Sequence, residues 1–288
     1  MNGVGLVLQG GGMRGVYTAG VLDYYMEQRL YFPYVAAVSA GACNASAYLA
    51  RQKGLGRNMH INYLHDHRYI SYRNLWRGKS ILGLDYIFDE LPYTLEPFHF
   101  EAFQHAKEIF KVGVTNCASG CCMFFDKMTC TEIFKIIRAS CSIPFITSIV
   151  PYQDLQLLDG GITAPIPIQQ SISDGNRMNV IILTNSGEYQ RKPRLLPLLT
   201  RQFYGRYKEL GQAINNHHEV YNQTLDEIKQ LEASKAAFVI RPSRTIQTKG
   251  MERNPLVLTS LYDQGYQDAE HNFSSMMNWL ESGLSSIQ

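Results

Sequence analysis

Apolar residues in this chain gather in short, almost uncharged runs separated by glycines and polar turns. Gly5–Gln9, Tyr34–Val38 and Val180–Thr184 are runs of this kind, and a fourth begins at Leu155 and ends in Asp159 and two glycines. Unbroken runs of that length indicate strands covered on both faces, as in a parallel sheet. Between them the spacing turns helical: Val16, Val21, Leu22 and Tyr25 share one face, as do Ile133, Phe134, Ile136 and Ile137. The second of these predicts a helix over Thr131–Cys141, capped at Thr129 or Thr131 and stopped by Pro144. Phe110, Val112 and Val114 alternate, Ser119-Gly120 turns the chain, and Met123-Phe124-Phe125 returns, which predicts a β-hairpin.

After Thr184 the pattern is mostly helical. Leu198–Ala233 is amphipathic with breaks expected near Gly205 and Gly211, and Ala237–Pro242 reads as a last strand. Asn254–Leu284 reads as a helix pair or a bent helix, opened by Asn254 as cap and Pro255 in the first turn. Residues 51–105 are irregular and rich in Tyr, His and Arg; Leu82–Phe88 suggests a short helix there, and Tyr72–Phe103 an apolar, loop-lidded site. No repeat or low-complexity linker divides the chain. The expectation is one α/β domain over 1–288, with a core of about 5–184 and a mostly helical extension of about 195–288.

Composition narrows the class. At 288 residues with 45% hydrophobic and 18% charged positions the chain is globular. A net charge of +2 with no basic run argues against a nucleic-acid partner. No apolar run approaches the roughly 20 residues of a membrane span, and Met1–Gly20 reads as strand and loop instead of a secretory signal. Cys43, Cys117, Cys121, Cys122, Cys130 and Cys141 lack paired C-x-x-C spacing, so buried free thiols in a reduced, cytoplasmic protein are expected and no metal site. His60, His65 and His67 fall in a polar connector, which suits surface positions, with a metal-ligand or catalytic-base role the alternative; His217-His218, on the long amphipathic stretch, suits a solvated or packing role.

Three stretches carry candidate chemistry. The first strand runs into Gly10-Gly11-Gly12-Met13-Arg14-Gly15 and then a helix, an arrangement that aims backbone N–H groups at an anion. Gly10, Gly12 and Gly15 match dinucleotide spacing, but no acid closes the next strand, and the P-loop's Lys-Ser/Thr is missing. That next strand ends instead in Ser39, followed by Ala40, Gly41 and Ala42. A serine at a tight strand-to-helix turn is a nucleophile elbow; an ordinary N-cap serine is the alternative. Ala37 stands where the elbow usually has its first glycine, so the turn is expected to survive only if Ala37 needs no positive φ. Asp159-Gly160-Gly161 supplies a carboxylate at a strand end, or merely a turn.

Taken in this order, with Ile137–Pro144 before the aspartate, these motifs resemble the patatin-like phospholipase family, in a bacterial cytosolic branch. The resemblance covers about Gly5 to Thr184. It implies a three-layer α/β/α sandwich with a mostly parallel sheet, and a serine hydrolase of lipid carboxylic esters that uses no cofactor. By the same resemblance Ser39 is the nucleophile and Asp159 its only partner. Gly10, Gly11, Gly12, Arg14 and Gly15 match the oxyanion loop, while Ala37, Gly41, Gly160 and Gly161 support the two turns. The partner implied is a lipid or phospholipid ester, with transient contact at a membrane surface. Competing functions are a lipid-binding module with little turnover and a nucleotide-binding protein.

Overall fold

The uncharged runs become the centre of a sheet because helices shield them on either side. The computed structural model describes residues 3–71, 80–187, 189–193, 196–245, 248 and 250–285. Its strands are β1 (Val4–Leu8), β2 (Tyr34–Val38), β3 (Ile109–Asn116), β4 (Cys122–Asp126), β5 (Val150–Tyr152), β6 (Leu155–Asp159), β7 (Met178–Ile182) and β8 (Ala237–Ile240). They form one sheet in the order β5-β6-β3-β2-β1-β7-β8, with β4 paired to β3 off that path. β1, β2, β3, β7 and β8 run parallel to one another, whereas β4, β5 and β6 are joined by antiparallel pairings. Every residue of β1, β2 and β7 is buried. The β3–β4 pair is the hairpin that the alternation indicated, with Gly120 at φ +64° in its turn.

The α-helices are α1 (Gly15–Glu27), α2 (Ala40–Leu49), α3 (Leu55–Ile61), α4 (Leu91–Thr94), α5 (Phe100–His105), α6 (Ile133–Ser140), α7 (Ile168–Ser173), α8 (Pro197–Tyr204), α9 (Lys208–Ala233) and α10 (Pro255–Ser285). With the sheet they make a mixed, mostly parallel α/β/α arrangement. Several boundaries differ from expectation for local reasons. α6 starts after Glu132 with no side-chain cap, because the Thr129 hydroxyl turns back to Asp126 O in the preceding turn. The amphipathic stretch breaks once, around Gly205; Gly211 lies inside α9, where its α-carbon faces only Thr200 at ordinary contact distance. The Asn254–Leu284 stretch is one continuous helix, not a pair. Residues 51–105 carry α3, α4, α5 and a π-type turn over Tyr86–Glu90. Of the lid expected from Tyr72, residues 72–79 lie outside the described residues.

α10 explains why α1 reads as apolar nearly all round. Of α1, only Glu27 is exposed, since α1 lies between the sheet and α10. The two helices cross at glycines: a β-carbon on Gly20 would stand 2.2 Å from Tyr262 O, and one on Gly265 2.2 Å from Tyr17 O. Hydrogen bonds from Tyr17 Oη to Asp268 (3.0 Å) and from Tyr262 Oη to Asp23 (2.7 Å) flank the crossing. β8 also extends the sheet beside β7. On these grounds we propose that core and C-terminal extension fold as one domain.

Gly20→Ala therefore forces α1 and α10 apart and is expected to cost about 1–3 kcal/mol despite its better helix propensity. Gly211→Ala, which meets nothing closer than 3.6 Å, should gain about 0.5–1 kcal/mol. Urea melts of the two variants against wild type check the opposite signs.

Candidate active site

Ser39 follows β2 at φ +54°, ψ −133°, a backbone conformation that an L-residue with a side chain rarely holds. Holding a serine there costs on the order of 1–3 kcal/mol, which the surroundings must offset. Three of them do so. The Ser39 amide donates to Ser140 Oγ (2.8 Å), and that hydroxyl donates in turn to Gly113 O (2.6 Å). Ser39 O accepts from the amides of Ala42 (2.8 Å) and Cys43 (3.3 Å), which starts α2. Gly41 lets α2 lie against the end of β1, since a β-carbon there would meet Gln9 O at 2.8 Å and Leu8 O at 2.9 Å. Ala37 is an ordinary buried strand residue with negative φ, so the elbow needs no glycine at that position.

Sheet register brings the carboxylate to the serine. Val38 pairs with Gly113 across β2–β3, and Val114 pairs with Asp159 across β3–β6. Ser39 and Asp159 thus flank β3 at one height, about 10 Å apart between backbones, a gap their side chains close. Ser39 Oγ donates to Asp159 Oδ2 at 2.8 Å. The other carboxylate oxygen, Oδ1, accepts from Gly161 N at 2.6 Å, so Asp159 caps the short 3-10 turn Gly160–Ile162 as well. Asp-Gly-Gly thus makes a turn and also presents a carboxylate oxygen to the serine. A β-carbon on Gly161 would sit 2.8 Å from Oδ1, and one on Gly160 2.1 Å from Gly113 O, so larger residues would push the carboxylate away. Asp159 N donates to Ser142 O (2.9 Å) and Thr115 Oγ1 donates to Asp159 O (2.8 Å), fixing the backbone behind it.

Burial raises the Asp159 carboxyl from its ordinary 3.8 to about 6. The Ser39 hydroxyl, the Gly161 amide and the charge of Arg191 each pull it back down. The result is a carboxylate more basic than a free aspartate and still mostly ionised at neutral pH.

The glycine loop lies across from Ser39. Gly10 packs its α-carbon against Ser39 and Val38, Gly11 against Thr184, and Gly12 takes φ +56°. The amides of Gly10 and Met13 donate to Pro165 O and Gly250 O, whereas among the described residues those of Gly11 and Gly12 have no backbone acceptor. Gly15 opens α1, and its carbonyl accepts from Asn44 Nδ2 at 2.7 Å. Arg14 turns away from the serine: its Nε and Nη2 donate to Thr248 O (3.2 and 3.0 Å), pinning the loop to the segment before α10.

Beside Ser39 opens a cavity of about 150 Å³ lined by Met59, Leu82, Ile87, Phe88, Phe98, Phe134 and Ile137, and also by Gly12 and Ala40. Most of that wall comes from residues 55–100, the stretch with the weakest sequence signal. Sequence reasoning also missed Ser140, which lies in a motif but gives no hint that it holds the Ser39 amide. His60, expected at the surface, is buried instead. Its Nδ1 lies 2.7 Å from Gly56 O, and burial holds the ring below its ordinary value, so it is neutral packing behind the loop. His65 and His67 are exposed, and His217 pairs with Arg191. Among the described residues no histidine bonds to Ser39 or Asp159, and no group of three or more His, Cys, Asp or Glu is placed to hold a metal ion.

Comparison with known proteins bears on the family and the fold. A family model described as patatin-like phospholipase matches residues 6–172, and a second, a domain of unknown function (DUF6363), matches residues 207–281. The chain is 26% identical over 253 residues to the Uncharacterized protein YjjU of Escherichia coli (strain K12), covering 85% of this chain and 70% of that one. Among solved structures it resembles VipD from Legionella pneumophila, with a TM-score of 0.50 at 13% identity. That likeness covers 94% of this chain and 66% of VipD, so the chain spans just under two thirds of that protein, and it bears on the fold alone.

A carboxyl raised by burial lends the fold stability when protonated and withdraws it as pH rises through about 6. Asp159→Asn keeps the shape without the charge. Its melting temperature relative to wild type should therefore be higher at pH 8 than at pH 4.5, a difference that paired thermal melts at the two pH values measure.

Proposed function

Since its residues 6–172 place the chain in the patatin-like phospholipase family, we propose that it is a serine acyl hydrolase that cleaves lipid carboxylic esters with Ser39 and Asp159. The observation that carries this reading is the 2.8 Å bond from Ser39 Oγ to Asp159 Oδ2, made by a backbone-strained serine that lines an apolar cavity.

In the proposed reaction Ser39 Oγ attacks the ester carbonyl while Asp159 Oδ2 takes the hydroxyl proton. Asp159 suits this role because burial raises its basicity and its second oxygen stays anchored by Gly161. The amides of Gly11 and Gly12 are the proposed donors to the tetrahedral oxyanion, supported by their lack of a backbone acceptor among the described residues. The Ala40 amide, at the positive end of α2, is suited to help; the Ser39 amide is not, since it is held by Ser140. One such donor typically contributes about 2.7–4 kcal/mol to lowering the barrier. Protonated Asp159 then gives its proton to the leaving alcohol. A water, deprotonated by the same carboxylate, hydrolyses the acyl-serine. The apolar wall suits an acyl chain, and its cover of residues 80–103 acts in this reading as the lid. No helix among the described residues is long and apolar enough to cross a membrane; we propose that lipid is met in transient contact at a membrane surface.

Hydrolysis of p-nitrophenyl esters of increasing chain length tests this. Wild type should prefer longer acyl chains, and its kcat/KM should rise through pH about 6 to a plateau as Asp159 ionises. Ser39→Ala and Asp159→Asn, each folded, should lose about 10³-fold or more in kcat. Activity surviving in Ser39→Ala would sink the assignment.

A further inference from the structure

Two thiols that this mechanism leaves unused touch each other beside the nucleophile. Cys43 Sγ lies 3.4 Å from Cys141 Sγ, about 1.4 Å beyond a disulfide bond length. Cys43 sits one turn past Ser39 on α2 and is half-buried; Cys141 caps the C-terminal end of α6 and is buried. Both residues line the same cavity as Ser39. All six cysteines are free, and these two are the pair whose sulfurs are in contact.

We propose that Cys43 and Cys141 form an oxidation site, at which a peroxide joins the two sulfurs in a reversible disulfide that shuts down the neighbouring serine. Cys43 is the more accessible and reacts first. Its thiolate attacks one peroxide oxygen, the O–O bond breaks, and the products are a sulfenic acid and hydroxide. Cys141 is the resolving partner: its contact with Cys43 and its burial keep the thiol protonated until then. The Cys141 sulfur attacks the Cys43 sulfur, the S–O bond breaks, and the departing hydroxide leaves as water with the Cys141 proton. In sum, two thiols and one peroxide give one disulfide and two waters, with two electrons passing from sulfur to oxygen.

The position of the pair makes this consequential. Cys141 lies between Ser140, whose hydroxyl holds the Ser39 amide, and Ser142, whose carbonyl holds the Asp159 amide. Drawing the two sulfurs to bonding distance pulls the first turn of α2 toward that segment, so the strained serine and its carboxylate both lose their registration. A displacement near 1 Å at reacting groups can cost about 100-fold in rate. The loss of turnover rests on the acyl-hydrolase reading; the disulfide does not.

The test uses the full chain with Cys121→Ser, which removes the exposed thiol. It is titrated with hydrogen peroxide, its remaining thiols are blocked, and it is digested with trypsin. The relevant tryptic peptides, Leu30–Arg51 and Ala139–Arg177, carry one cysteine each. The expected product is their crosslink, formed in step with a loss of ester hydrolysis of about 100-fold, both reversed by dithiothreitol. With Cys141→Ala added, the crosslink should vanish and dimedone should trap a sulfenic acid on Cys43. Oxidation of Cys43 that leaves the peptides unlinked overturns the proposal, and so does a crosslinked enzyme that hydrolyses ester as fast as the reduced one. If the untreated enzyme cleaves no ester, the hydrolase reading fails and the crosslink alone decides the oxidation site.

Discussion

The backbone of Ser39 is the constraint around which this end of the molecule is arranged. A serine at φ +54°, ψ −133° relaxes unless neighbours over-determine it. Here they come from three separate stretches of chain: the end of β1 under Gly41, the Ser140 hydroxyl on α6, and Gly113 on β3. None of them contributes a reacting atom in the proposed mechanism. What they hold in place is a buried hydroxyl aimed at a carboxylate. Burying that carboxylate is itself unfavourable, and that same burial gives it the basicity proton transfer at neutral pH asks for.

The mixed sheet solves a geometric problem. A purely parallel arrangement would bring in each strand end with its own βα turn. By running β6 antiparallel to β3, the chain delivers Asp159 at the height of Val114, level with Ser39, and then turns at once through Gly160 and Gly161. One carboxylate oxygen serves the turn and the other the serine. Most of the apolar wall is supplied separately, by α3 and the segment from Leu82 to Phe100, so the proposed chemistry and the proposed acyl surface come largely from different parts of the chain.

Much of this could be read in the residues, for identifiable reasons. Short apolar runs marked β1, β2, β6 and β7 because strands buried on both faces leave no room for polar alternation. The elbow and the Asp-Gly-Gly turn were legible because close approach restricts them to small side chains. The substitution at Ala37 left the turn open to question, and the negative φ there removes the difficulty. Harder to read were features that depend on contacts distant in sequence. Ser140 lies 101 residues from the amide it holds, and the cavity wall is assembled from short helices whose apolar spacing follows no single period. α10 shows the same limit: its fusion with α1 rests on Gly20 and Gly265, and an isolated glycine within a helix says nothing of a partner helix.

The most direct measurement is labelling of the folded protein with a serine-directed fluorophosphonate, followed by peptide mass analysis. The account predicts one phosphonyl group per chain, carried by Ser39 in the peptide Leu30–Arg51, much slower labelling in Asp159→Asn, and none in Ser39→Ala. Label on another residue, or a folded protein that takes up none, would contradict it.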